Sequence, residues 1–313
     1  MRSFLAIIIL STMLWAGGPP TGGYAGAFAR VGTDARSVAL AGALVADINS
    51  GHLALTNPAS LVHVQRRELG LSYMALPLDR SLQGLSVAMG LPPTAAAGFS
   101  FMRAADDEIQ GRNSIGEPTD VLAYSENMLS LSFANRLSDH FSFGLSAKML
   151  IIDLADEGSK GFGIDFGLFY HRPSGFNLAL KAQNLTGAYS WKITADQQSR
   201  NYTDYLPIII SAGTRLPWRH FTFFGQADLV VPRIKQDDET VFGDVVPVYR
   251  LAVEDVLWER YLVRGGLEHT TPTFGLGLRY SIRRAFDSRV DYSLSLGKAD
   301  EGMGHLFSWI FSL

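Results

Sequence analysis

The chain has no cysteine among its 313 residues. That excludes disulfides, thiolate metal sites and a lipid-anchored N-terminal cysteine, and it suits an envelope protein that must avoid stray oxidation. Charge of one sign is scarce as well: 27 Lys and Arg stand against 30 Asp and Glu, a net charge of −3. Nothing in that balance offers a surface to nucleic acid. Long apolar runs are also missing, because no stretch reaches the roughly 20 residues that a membrane-crossing helix needs. Should the chain enter a membrane, it must do so as a closed β-barrel, since backbone groups in lipid need internal partners. What is plentiful points the same way: 31 glycines, 11% aromatics and 47% hydrophobic residues, with mean hydropathy +0.10, lean towards β structure.

The first 27 residues read as a secretory signal. Arg2 supplies the positive start, Phe4 to Leu14 an apolar core, and Ala25 and Ala27 a small-x-small pair around Gly26 for cleavage. Residues 28–66 then form one unit and 67–313 another.

The second unit is organised by alternation. In the final nine residues His305, Phe307, Trp309, Phe311 and Leu313 share one side and Leu306, Ser308, Ile310 and Ser312 the other. Phe274 to Ile282 and Val290 to Leu296 repeat the pattern, with Gly275, Gly277, Arg279, Arg289, Asp291 and Ser293 interleaved. Fourteen such segments follow one another, at about 67–76, 81–91, 94–103, 126–137, 140–154, 161–172, 176–184, 206–216, 221–231, 246–255, 260–268, 273–283, 287–297 and 305–313. Their connections sort by parity. Even-numbered joins, such as Pro92–Pro93 and Ser138–Asp139, are tight turns, whereas the long, charged joins 104–125, 185–205 and 232–245 all fall in the odd set. An all-β, transmembrane, antiparallel up-and-down barrel of about fourteen strands sorts its loops this way, with short turns and both termini on the periplasmic side of a Gram-negative outer membrane. An arginine at outward Phe166 is expected to hinder assembly, and one at inward Ser146 to be tolerated better.

The first unit is different. Asp34 can cap a helix carrying Leu40, Ala41, Leu44, Val45 and Ile48 at helical spacing, weakened by Gly42. Asn57, Pro58 and Ala59 then make a turn. Taken together, the small-residue stretch Ala35 to Ala46, Asp47 with Asn49, and the Asn57-Pro58-Ala59 triplet resemble the N-terminal region of PorV/PorQ-type proteins, which group with the FadL-type outer-membrane transporters of hydrophobic compounds. The resemblance implies a fourteen-stranded barrel with an N-terminal plug, or hatch, inside it.

Fourteen strands enclose a lumen that is either leaky or blocked. Parity places Lys148, Asp165, Lys181, Asp228, Arg250, Arg264, Arg279 and Asp291 in it, as wall-to-plug salt bridges or as ligand contacts. Two functions are open at this point. One is passage of a hydrophobic small molecule through the plugged lumen. The other, implied by the resemblance, is a PorV-like component of a secretion or surface-attachment machinery that binds exported proteins. Tyr124, Tyr189, Trp191, Tyr202 and Tyr205 in the long loops are an aromatic supply suited to such protein contact and equally to an interfacial belt. The expected partners are therefore outer-membrane lipid together with a hydrophobic ligand or secretion-system proteins. No catalytic constellation, metal spacing or phosphate-binding loop stands out, so no enzyme activity and no cofactor are expected.

Overall fold

The computed structural model describes residues 24–155, 157–195, 198–236, 239–283, 286–296 and 303–313. Most of the signal-like segment lies outside the described residues.

The all-β architecture is a closed barrel of fourteen antiparallel strands: β1 (Glu68–Ala75), β2 (Ser81–Leu91), β3 (Ala95–Arg112), β4 (Pro118–Arg136), β5 (Phe141–Leu154), β6 (Glu157–His171), β7 (Asn177–Gln183), β10 (Ile208–Trp218), β11 (Phe221–Val231), β14 (Val246–Leu257), β15 (Tyr261–Glu268), β16 (Thr271–Arg283), β17 (Phe286–Leu296) and β18 (Met303–Ser312). The last strand closes on the first, Glu68 opposite Ser312 through Ala75 opposite His305, so the fourteen-strand wall has no open edge. Alternation fixes which face meets which medium. Phe307 and Trp309 are exposed on the outside while Leu306, Ser308 and Ile310 are buried inside, and β5 repeats this with Phe141, Leu145 and Met149 outward and Ser142, Ser146 and Lys148 inward. Trp218, Trp258, Tyr261 and Phe141 stand outward near the short-turn end, which suits an interfacial aromatic girdle.

Three sequence expectations need correction. The long joins are not loops throughout. Join 104–125 is largely the paired continuation of β3 and β4, join 185–205 holds the hairpin of β8 (Ala188–Ala195) and β9 (Gln198–Tyr205), and join 232–245 holds that of β12 (Arg233–Gln236) and β13 (Glu239–Phe242). Beyond the apolar belt both faces of a strand can be polar, so pairing continues where alternation stops. The N-terminal helix is a single turn, Ala35–Ala39, rather than a helix reaching Ile48. Its cap is the expected one, with Ser37 N donating to Asp34 Oδ1 at 2.6 Å, but Ala41 and Gly42 take φ of 51° and 73°, which ends it. Finally, the inner wall is not polar throughout. Met74, Leu82, Met102, Met128, Leu150 and Leu306 point inward from six adjacent strands and form an apolar band at the long-loop end with Phe28, Val38 and Leu55.

Candidate functional site in the barrel interior

Residues 33–64 run through the barrel interior, largely buried, as one helical turn (Ala35–Ala39), a second (Leu53–Thr56), a 3-10 helix (Pro58–His63) and irregular backbone between them. Irregular backbone at membrane depth is viable only where protein groups satisfy it. The wall supplies them. Ser72 donates to the Thr33 carbonyl (2.9 Å), Thr273 to Ala39 (3.0 Å), Asn177 to Ala46 (3.0 Å), Arg289 to Asn49 (2.8 Å), Ser86 to Gly51 (2.5 Å), Lys181 to Leu55 (2.5 Å) and Ser142 to Ala59 (2.8 Å). Inward glycines let the two backbones meet. A Cβ at Gly144 would lie 2.5 Å from Ala59 N, one at Gly266 2.7 Å from Ala41 N, and one at Gly275 2.5 Å from Ala39 Cβ. Ser146, the inward position chosen for comparison with Phe166, is buried and hydrogen-bonded to Ser132 at 2.6 Å.

The turn residues sit in the middle of this contact. Asn57 is extended (φ −158°, ψ 116°), as a residue before proline should be, and its Oδ1 accepts from Ala59 N at 3.0 Å. Its Nδ2 donates to the Val45 carbonyl at 3.0 Å and reaches Leu180 O on the wall at 3.4 Å. Pro58 opens the 3-10 helix. Gly167 faces the Asn57 side chain, where a Cβ would collide with Oδ1.

Seven of the eight charged lumen candidates fall into three ion-paired groups. In the first, Lys148 Nζ lies 2.5 Å from Asp165, Asn184 N donates to Asp165 at 2.9 Å, and Lys181 stands 4.0 Å from the same carboxylate. In the second, Arg250 pairs with Asp228 and reaches Glu268 at 2.8 Å, while Gln226 links Asp228 to Val45 N. The third joins wall and segment directly. Arg36, wholly buried, holds Asp47 at 2.6 Å within the segment and Glu254 of β14 at 2.9 Å. Glu254 also takes Arg264 at 2.6 Å, Arg264 takes Asp291 at 2.7 Å, and Asp291 takes Arg289 at 2.7 Å. Burial alone would lower the Arg36 pKa, but Asp47 and Glu254 outweigh it and hold the guanidinium above its ordinary value. Arg279 is the eighth candidate, and its guanidinium belongs to none of these groups.

Sequence reasoning missed Arg36 and Glu254. Glu254 was within reach, since it stands four residues beyond Arg250 on the same strand and therefore on the same face. Arg36 carried no signal, because a charged residue in a short capped helix ordinarily faces water.

Between segment and wall lies a cavity of about 160 Å³, lined by Gly42, Val45, Leu55, Ile209, Val230 and Val248 with Lys181, Asp228 and Arg250. At the long-loop end the lumen is covered by the β8–β9 hairpin. Tyr189 of that hairpin is buried and donates to Glu126 at 2.5 Å, Tyr124 donates to the same carboxylate at 2.6 Å, and Arg233 lies over the Tyr205 ring. Of the five loop aromatics expected as contact groups, only Tyr202 is exposed. His140, in the turn between β4 and β5, contacts the His171 carbonyl at 3.1 Å. Among the described residues no group of three or more acidic or histidine side chains could hold a metal ion.

No protein-family profile and no curated protein matches the chain. Solved structures do. The toluene transporter TodX of Pseudomonas putida matches with a TM-score of 0.61 at 12% identity, over 90% of this chain and 97% of that one. CymD, a monoaromatic hydrocarbon channel, matches with 0.60 at 14% identity, over 91% and 98%. A FadL homologue of Pseudomonas aeruginosa matches with 0.58 at 11% identity, over 90% and 97%. At such identities the likeness is one of fold, and it extends over nearly the whole length of each.

Proposed function

We propose that the protein is an outer-membrane channel for hydrophobic small molecules, with residues 28–66 acting as a plug in the lumen and both termini facing the periplasm. The observation that carries this reading is the occupied interior. A closed fourteen-strand wall with an apolar exterior is filled by a segment whose backbone is tied to side chains around the circumference. Such a barrel excludes polar solutes. Its inward band of Met74, Met102 and Met128 is packed against Phe28 and Leu55, so a hydrophobic ligand enters only as these side chains and the segment shift, and thioethers adapt to ligands of varied shape. The cavity below it, about 160 Å³, matches the roughly 150 Å³ known to hold one benzene ring, though its lining is half polar. TodX and CymD, described as carrying toluene and monoaromatic hydrocarbons, support a small aromatic cargo. We prefer this to the secretion alternative because four of the five loop aromatics turn away from full exposure and are spent within the mouth.

The test is reconstitution into liposomes. The full protein should admit toluene and exclude a sugar of similar size, and deleting residues 34–60 should let the sugar through. Toluene uptake no faster than in empty liposomes would refute the cargo, and an unchanged sugar barrier after the deletion would refute the plug.

A further inference from the structure

At the short-turn end the interior opens into a polar cavity of about 860 Å³, bounded by Ile48 and Asn49 of the N-terminal segment and by β16, β17 and β18. Arg279 and Arg289 face it from neighbouring strands, directly opposite one another in the register. Among the described residues the Arg279 guanidinium makes no hydrogen bond and no ion pair. That is unusual for a half-buried arginine, which normally spends its five donors on carboxylates or carbonyls. Its partner across the β16–β17 ladder is a second cation, Arg289. Arg289, nine-tenths buried, is itself incompletely used: Nε goes to Asp291 and Nη1 to the Asn49 carbonyl, and Nη2 has no partner. Among the described residues no acid on the cavity wall forms an ion pair with Arg279 or Arg289, although Glu68 lies near enough for the charge of Arg289 to act on it. Asp287 is held by Arg66 at 3.0 Å and Ser281 at 2.7 Å, Glu259 sits on an exposed turn, and Glu68 comes within ion-pair reach of neither arginine.

We infer that this cavity binds an anion, a carboxylate or phosphate group, with Arg279 as its principal ligand. A planar guanidinium offers such a group two parallel N–H donors, and Arg289 behind it supplies a second positive charge in a site partly shielded from water. The cavity is far larger than one such group, so it accommodates a free anion or the head of an amphiphile, with Ile48 and Ile310 beside an attached chain. Lowering the anion onto Arg279 costs little rearrangement, because no native bond of that side chain has to break.

Titration calorimetry on the purified full chain in a non-ionic detergent tests this, with inorganic phosphate, decanoate and uncharged decanol as probes. Phosphate or decanoate should bind, Arg279→Gln should weaken that binding at least tenfold, and Arg279→Lys should fall between, while decanol shows no dependence on residue 279. Binding of phosphate assigns a free anion; binding of decanoate alone assigns an amphiphile head. Heat-modifiable migration on gels verifies that each variant is folded, which the lack of native bonds to Arg279 favours. Failure of both anions to bind the parent protein, or equal affinities for it and a folded Arg279→Gln variant, would overturn the proposal.

Discussion

Glu254 is the residue whose loss should most directly release the N-terminal segment. Its carboxylate accepts from Arg36 Nε at 2.9 Å, from Arg36 Nη2 at 3.2 Å and from Arg264 Nε at 2.6 Å, with both arginines buried. Glu254→Gln keeps the shape and removes the charge. The buried chain then holds Arg36, Arg264 and Arg289, with Arg215 also 3.8 Å from Asp47, against Asp47 and Asp291 alone, so one more guanidinium is left uncompensated. Removing one partner of a buried pair typically costs about 3–5 kcal/mol. Because Arg264 of the wall shares that carboxylate with Arg36, only the part carried by Arg36, about half, falls on the seating of residues 33–64. At about 1.4 kcal/mol per factor of ten, the displaced fraction should rise at least about tenfold. Single-channel recording in planar bilayers reads this as frequent openings where the parent protein is mostly closed. Because the network is buried, moderate salt should change the result little. A folded Glu254→Gln protein as silent as the parent would refute the claim that this ion chain holds the segment.

Two further outcomes follow from the same geometry. Phe166→Arg places a charge on the lipid face of β6 and should cost about 2–4 kcal/mol near mid-membrane, seen as loss of heat-modifiable barrel on gels; Ser146→Arg, buried against Ser132, should impair assembly too, and normal assembly of both would undo the assignment of faces. His63, packed 5.1 Å from the Phe169 ring and 4.8 Å from His171, has its pKa lowered from 6.5 to about 4 by burial, then by His171 and Arg136. A depressed folded-state value means its contribution is complete above about pH 6.5 and is lost as pH falls towards 4, so openings should increase in acid and His63→Phe should abolish that part of the rise; a pH-independent parent, or an undiminished rise in the variant, would contradict it.

Much of the barrel could be read from residue order because one constraint repeats fourteen times: a strand with lipid on one face and protein on the other must alternate. Phe307, Trp309, Leu145 and Met149 declared the outer face, and the inward charges Lys148, Asp165, Arg264 and Asp291 followed by parity. Parity lost its grip where the two media ceased to differ. Beyond the belt, the continuations of β3 and β4 have water on both sides. At the long-loop end of the lumen, Met74, Met102 and Met128 meet Phe28 and Leu55, so both faces are apolar. The interior partners were less legible still. Asp34 and Asn57 announced a cap and a turn, but Arg36 finding Glu254 across 218 positions is a matter of tertiary packing that no local spacing encodes. The inward glycines at 144, 266 and 275 could be read as small residues, yet not as seats for a backbone, until that backbone was seen against them.

The absence of native cysteine makes one measurement especially direct. A Cβ built at Gly98 lies 3.1 Å from Ala54 Cβ, a few tenths of an ångström short of the roughly 3.5–4.5 Å that a disulfide prefers. An Ala54→Cys, Gly98→Cys pair therefore locks the segment to the wall by a single, unambiguous bond. Toluene uptake into liposomes should stop when the pair is oxidised and return on reduction. Equal uptake in both states would contradict a channel gated by movement of its N-terminal segment.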